Sequence, residues 1–266
     1  MGGVDLPDCD GRFLSIETDI VEESDINQYK DHSGNVIINN SDAKISNLVF
    51  YGKNNTVTIG RNVKIGSSVR IELHGGASLN IGEWTIIGDD TALIAYDESL
   101  VSIGDYTTIG QRCNISARYD SIVRIGHECI VRDDAYIFNK YASEISIGDR
   151  STFEKRTIMI AVSNSRISIG NGFMGSFDVS SIDNDGHALY NKHTGNRYNQ
   201  DSSITVGDDV WVGLKSSILS GANIPNGVVV GAGSVVTRKS FMKSDSAVVG
   251  NPAKTVKEDI RWQRYI

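Results

Sequence analysis

The chain has 266 residues, of which 39% are hydrophobic, 8% aromatic and 22% charged, a globular composition with room for a sizeable core in one or two domains. It holds no run of about 18 or more apolar residues, which excludes a membrane-spanning helix. The net charge of −7 is uneven: residues 1–60 carry 10 acids against 4 bases and residues 201–266 carry 6 against 8, so the basic stripe of a general nucleic-acid binder is missing and no such partner is expected.

Residues 1–34 form an acidic N-terminal segment with neither a basic nor an apolar leader region, and a cytoplasmic location is expected. Beyond it, Ile59, Ile81, Ile103, Ile125, Ile147 and Ile169 recur every 22 residues, each followed by glycine. A second hydrophobic-Gly pair follows six residues later (Ile65, Ile87, Ile109), and a third apolar column six after that (Ile71, Leu93, Ile115, Ile137, Met159). Each unit is therefore three hexapeptides plus four residues. Strand alternation turns the repeated apolar residue inward and glycine permits the tight corner, so the repeat predicts a three-sided parallel β-helix.

Residues of equal phase should stack about 4.8 Å apart on successive coils. Asp90, Arg112, Asp134 and Arg156 then form a surface charge ladder. Cys129 falls in the inward column Thr85, Thr107, Cys129, Ser151, and Cys113 in the column Thr91, Cys113, Ala135, Thr157. Both read as packed core thiols. With Cys9, the three cysteines lack the spacing of a disulfide framework or a C-x-x-C motif.

A solenoid has no intrinsic chemistry, so function is expected where the period breaks. Earlier coils have four spare residues at the third corner, whereas residues 185–203, DGHALYNKHTGNRYNQDSS, add fifteen more. A polar loop of that length in a compact domain points to a functional role, and it carries His187 and His193. From Ile204 the hexads run uninterrupted, with Val206, Val212, Ile218, Ile224, Val230 and Val236 inward. Trp211, between inward Val210 and Val212, points outward, either to pack at a subunit interface or to wall a site. Residues 255–266, TVKEDIRWQRYI, are predicted to form a short C-terminal helix on the last coil, with Trp262 as its anchor. The expected organisation is thus a segment 1–34, a β-helix 35–254 interrupted by loop 185–203, and a helix 255–266.

The run I-T-V-G-D-D-V-W-V-G, continuing G-A-G-S-V-V-T and ending V-V-G-N-P-A-K at Lys254, resembles the C-terminal signature of the hexapeptide-repeat acyltransferases. The D-x-H element Asp185–His187 ahead of V-W-V-G resembles the bacterial sugar O-acetyltransferases, most closely those acting on capsular polysaccharides such as polysialic acid. The resemblance covers about residues 178–256. It implies a left-handed β-helix, homotrimeric assembly, acetyl-CoA as donor without a metal, and a carbohydrate acceptor: an O-acetyltransferase for a hydroxyl of a surface polysaccharide or its sugar precursor.

Carried over residue by residue, His187 is the general base, since a protonated sugar hydroxyl needs a base near neutrality and imidazole titrates at about 6.5. Asp185 or the backbone would orient its ring, and Trp211 would hold the thioester or the acceptor. Tyr190, Arg197 and Asn199 are candidate acceptor contacts. Pantetheine would lie along Gly213, Ser217, Gly231, Ala232 and Gly233, and the phosphates and adenine near Thr237, Arg238, Lys239, Asn251, Pro252, Ala253 and Lys254. The stretch RKSFMKSDSA departs from the proline-rich turn usual between V-V-T and G-N-P-A-K, and the N-terminal array is longer than in small sugar acetyltransferases. Alternative readings are a sugar N-acetyltransferase of the same fold, a non-catalytic β-helical scaffold, and a γ-type carbonic anhydrase. The last needs three zinc-binding histidines, and His32, His74 and His127 lack the paired spacing.

Overall fold

The 22-residue period becomes a coil of three short strands joined by three corners, and the computed structural model describes it over residues 18–21, 28–199 and 202–264. Successive coils build three ten-stranded sheets, all parallel except for antiparallel strands at the ends, wound as a left-handed parallel β-helix. In one coil, Thr56–Ile59 lies on face 2, Lys64–Ile65 on face 3 and Arg70–His74 on face 1. The six repeated isoleucines pair coil to coil in unbroken register on face 2, and Ile169 pairs with Val206 across the long insertion. The insertion therefore leaves the solenoid's stacking intact.

Inward residues fill the prism: Ile59, Ile71, Ile109, Ile137, Val212 and Val230 are all fully buried. Glycine after the inward residue is enforced by close approach. A Cβ on Gly104 would lie 2.6 Å from the backbone of Gly126 on the next coil. The polar residue two positions after the inward one staples coils together, because the side chains of Asp105, Asp149, Asn171 and Asp208, each following glycine, and of Asn226, following Pro225, accept the backbone N–H of their counterpart one coil earlier at 2.7–2.9 Å.

Of the expected charge ladder one rung forms, Arg112 to Asp134 at 2.7 Å; Arg156 reaches forward instead to Asp178 at 2.6 Å, outside the expected set, and Asp90 makes no ion pair among the described residues, both arginines being half or more exposed. Such exposed, solvent-screened pairs contribute little to stability, and register rests on the staples and the core. Cys113 and Cys129 are buried, as their columns predict, and burial raises both thiols, Cys113 to about 11. Cys9 lies outside the described residues. Near the start of the solenoid, His74 is sandwiched between the rings of Tyr51 and Tyr96 at centroid distances of 4.1 and 3.7 Å. Burial, followed by the Arg118 guanidinium, lowers its pKa to about 4.

One expectation fails: there is no helix among the described residues, and none therefore long and apolar enough to cross a membrane. In place of a C-terminal helix, Ala247–Gly250 and Ala253–Lys257 pair as an antiparallel hairpin on face 3. Gly250, at φ +102°, and Asn251-Pro252 turn the chain back on itself. The backbone polar groups that a helix would satisfy internally are instead satisfied by the sheet edge. Residues 258–264 then run as an irregular strap back along the corner between faces 2 and 3. Most of the acidic segment 1–34 lies outside the described residues. Of it, Thr18–Val21 pairs antiparallel with Leu48–Tyr51, and Gln28–Lys30 with Val36–Asn39.

Candidate active site

The long loop leaves face 1 after Ser180–Ile182 and the chain rejoins face 2 at Ile204. Its root is the fully buried Asp183, whose carboxylate accepts the Val162 N–H at 3.1 Å and the Ser165 hydroxyl. This anchoring carboxylate is absent from the sequence reading, although alternation places Asp183 at an inward position after Val179 and Ser181. A charged residue on the inward face was the available signal.

Within the loop, Asn199 acts as a clasp. Its Oδ1 accepts the Leu189 N–H at 2.6 Å, while Nδ2 donates to Asp185 Oδ2 at 2.8 Å and to the His187 carbonyl at 2.7 Å. Asp185, His187 and Asn199 are thereby brought together, and the Asp185 carboxylate is held by the Asn199 amide. His187 itself is exposed, and its imidazole has no hydrogen-bond partner among the described residues. Further out, Tyr190 and Arg197 form an antiparallel bridge, and the Asn191 side chain accepts the N–H groups of His193 and Thr194. Tyr190 is 62% exposed at this tip.

Trp211 sits elsewhere, on face 3, pointing outward between the buried Val210 and Val212 as alternation predicts. Its indole N–H is directed at Ser176 Oγ, 3.4 Å away, and its ring packs 6.1 Å from that of Trp262 in the C-terminal strap. The loop corner lies between faces 1 and 2, opposite face 3, so the packed core separates His187 from Trp211 within one chain. No hydrogen bond or ring contact among the described residues joins the loop to Trp211.

The residues expected to hold the donor border face 1. Gly213 and Gly231–Gly233 lie at the corner between faces 3 and 1, and Ser217 is on face 1, where its hydroxyl accepts from Ser180 at 3.0 Å. The glycines differ in role. A Cβ on Gly213 would meet the Ala232 backbone at 2.6 Å and one on Gly231 would meet Val249 at 2.6 Å, whereas Gly233, at φ +69°, faces open space. Gly233 is thus where an extended arm can lie against bare backbone. The Gly250 N–H donates to Ser234 Oγ at 3.1 Å and ties the 251–254 turn to this corner, with the Ala253 side chain buried and Lys254 exposed. Thr237, Arg238 and Lys239 lie beyond the far edge of face 1, where Arg238 donates to Ser202 Oγ at 3.1 Å, at the end of the long loop.

Among the described residues no group of three His, Cys, Asp or Glu side chains is arranged to hold a metal ion. Residues 203–238 match the family described as the hexapeptide repeat of succinyl-transferase. The polysialic acid O-acetyltransferase of Escherichia coli O1:K1 / APEC is 32% identical over 105 residues, which is 40% of this chain and 34% of that protein. The chain thus spans about a third of the length of the curated relatives it matches. The crystal structure of the polySia-specific acetyltransferase NeuO overlays 74% of this chain and 90% of its own, with a TM-score of 0.67 at 26% identity. By repeat, fold and sequence, the chain is a hexapeptide-repeat, left-handed β-solenoid related to the polysialic acid O-acetyltransferases.

Proposed function

We propose that this chain transfers the acetyl group of acetyl-CoA to a hydroxyl of a bacterial surface polysaccharide or its sugar precursor. The observation that carries the reading is the one long break in the repeat. It presents an exposed histidine on a clasped loop, in a solenoid that overlays a polySia-specific acetyltransferase over 74% of its length. His187 takes the proton of the acceptor hydroxyl as that oxygen attacks the thioester carbonyl. The C–O bond forms, the C–S bond breaks, and the proton passes to the departing CoA thiolate. The open backbone at Gly233 and the adjoining 251–254 turn suit the pantetheine arm and its phosphates, with Lys254 as the exposed cation beside them.

The working unit of this reading is a homotrimer. His187 and Trp211 lie on opposite sides of a filled core, and a second copy of the chain supplies Trp211 to the histidine of the first. Three heterologous contacts of this kind close a ring. The test is thiol release from acetyl-CoA with polysialic acid as acceptor, by wild type, by His187→Ala, by Trp211→Ala, and by the two variants unfolded and refolded together. Activity in wild type, its loss in each variant and its partial return in the mixture are expected. Thiol release that is independent of both residues refutes the reading.

A further inference from the structure

The C-terminal strap does more than close the solenoid. The Ile260 N–H donates to the Asp245 carbonyl at 2.8 Å, the Trp262 indole N–H to the Asp209 carbonyl at 2.6 Å, and Arg264 to the carbonyls of Arg150, Gly172 and Phe173 at 2.9–3.1 Å. A fourth bond from Arg264 reaches Thr152 Oγ1 at 3.0 Å. Between this pinned strap and the 2/3 corner lies a cleft of about 740 Å³, within the range of preformed ligand sites.

Its floor is built by the sequence of the corner itself. Along this edge, coil after coil, stand Trp84, Tyr106, Glu128 and Arg150, then Gly172, Asp209, Gly227 and Asp245. The two glycines remove side chains under the strap, and the carboxylates of Asp209 and Asp245 occupy the space a Cβ would need, 2.3 and 2.1 Å from it. These two carboxylates, together with the guanidinium groups of Arg150 and Arg261, make no side-chain hydrogen bond or ion pair among the described residues. Their bonding capacity is unspent. The cleft also holds Asn226 and Gln263, so nearly every side chain lining it is a planar group able to form paired hydrogen bonds, beside the Trp262 ring.

The charges decide what such a cleft takes. Three arginines, with Arg264 included, face three aspartates, with Asp208 included, so no net positive field favours a phosphate. Carboxylates want donors and free guanidinium groups want acceptors, and a polyhydroxylated ring supplies both. We propose that the cleft between residues 260–264 and the 2/3 corner is a glycan subsite that seats a sugar segment beside Trp211, to which Trp262 joins it. The assignment rests on the acetyltransferase reading for its role as the acceptor side of the site. Glycan binding itself is tested without it.

The probes are oligosialic acid, as the acidic glycan, and maltoheptaose, as the neutral one, titrated against tryptophan fluorescence of the full chain. Saturable binding of at least one is expected. Asp245→Asn and Arg261→Gln should each weaken it by tenfold or more while leaving CoA binding unchanged. Circular dichroism of each variant verifies the fold, and a Lys243→Ala control removes a surface pair with Glu258 outside the cleft. The inference is overturned if neither glycan binds, if both substitutions leave binding intact, or if CoA binding falls with glycan binding, which would place the donor there. Glycan binding without thiol release would defeat the acetyltransferase reading and leave the subsite standing.

Discussion

His74 makes acid sensitivity a local property of the first coils. Its imidazole is packed between Tyr51 and Tyr96, its Nε2 is buried without a hydrogen-bond partner among the described residues, and its pKa lies at about 4 against about 6.5 when unfolded. A folded pKa below the unfolded one means that the unfolded chain binds the proton first. Stability is therefore complete above pH 6.5 and is lost as pH falls toward 4. Linkage between these two values gives a loss of about 2 kcal/mol between pH 7.5 and pH 5. Urea denaturation of wild type and His74→Phe over that range isolates the effect, because Phe keeps the ring stack and removes the proton site. The wild type should lose about 2 kcal/mol more than the variant. Parallel pH profiles would show that His74 accepts a proton without cost in the folded state, and the account of its burial would be wrong.

Replacing His187 by Ala should lower acetyl transfer by about 10²- to 10⁴-fold with no loss of CoA affinity, read by thiol release and a CoA titration. Asn199→Ala removes the clasp that joins Asp185, the His187 carbonyl and Leu189. It should cut kcat about tenfold or more, with little movement in Tm because the loop lies outside the core. Gly104→Ala drives a Cβ to 2.6 Å from the Gly126 backbone. It should destabilise the coil by about 1–3 kcal/mol, seen as a lower urea midpoint.

The solenoid was legible because one constraint recurs on every coil. An inward Ile or Val followed by glycine has a single place in a close-packed prism, so the 22-residue period carries strand, register and face together. The site of the long loop was legible for the same reason, as a break in that period, and so was the outward aim of Trp211. The interior of the loop was not. The Asn199 clasp joins residues 10 to 14 positions apart through side chains, with no periodicity to announce it. The C-terminal segment misled because TVKEDIRWQRYI has local helical character while its partners are distant. Arg264 bonds to Phe173 and Arg150, 91 and 114 residues back. Non-local carbonyls decide its conformation, and these outweigh propensity.

The same strap alters how the molecule comes apart. Stacked coils touch only their neighbours, so an open solenoid can fray from its last turn inward, one coil at a time. Here the chain doubles back from Asp245 to the coil of Arg150 and fastens there, bracketing the C-terminal coils like a tie rod. Peeling the final turn then requires release of a guanidinium held four coils away. The C-terminal half becomes a single cooperative unit, and the corner that carries the cleft, with Trp211 on the adjoining face 3, is kept from opening when the end of the molecule breathes.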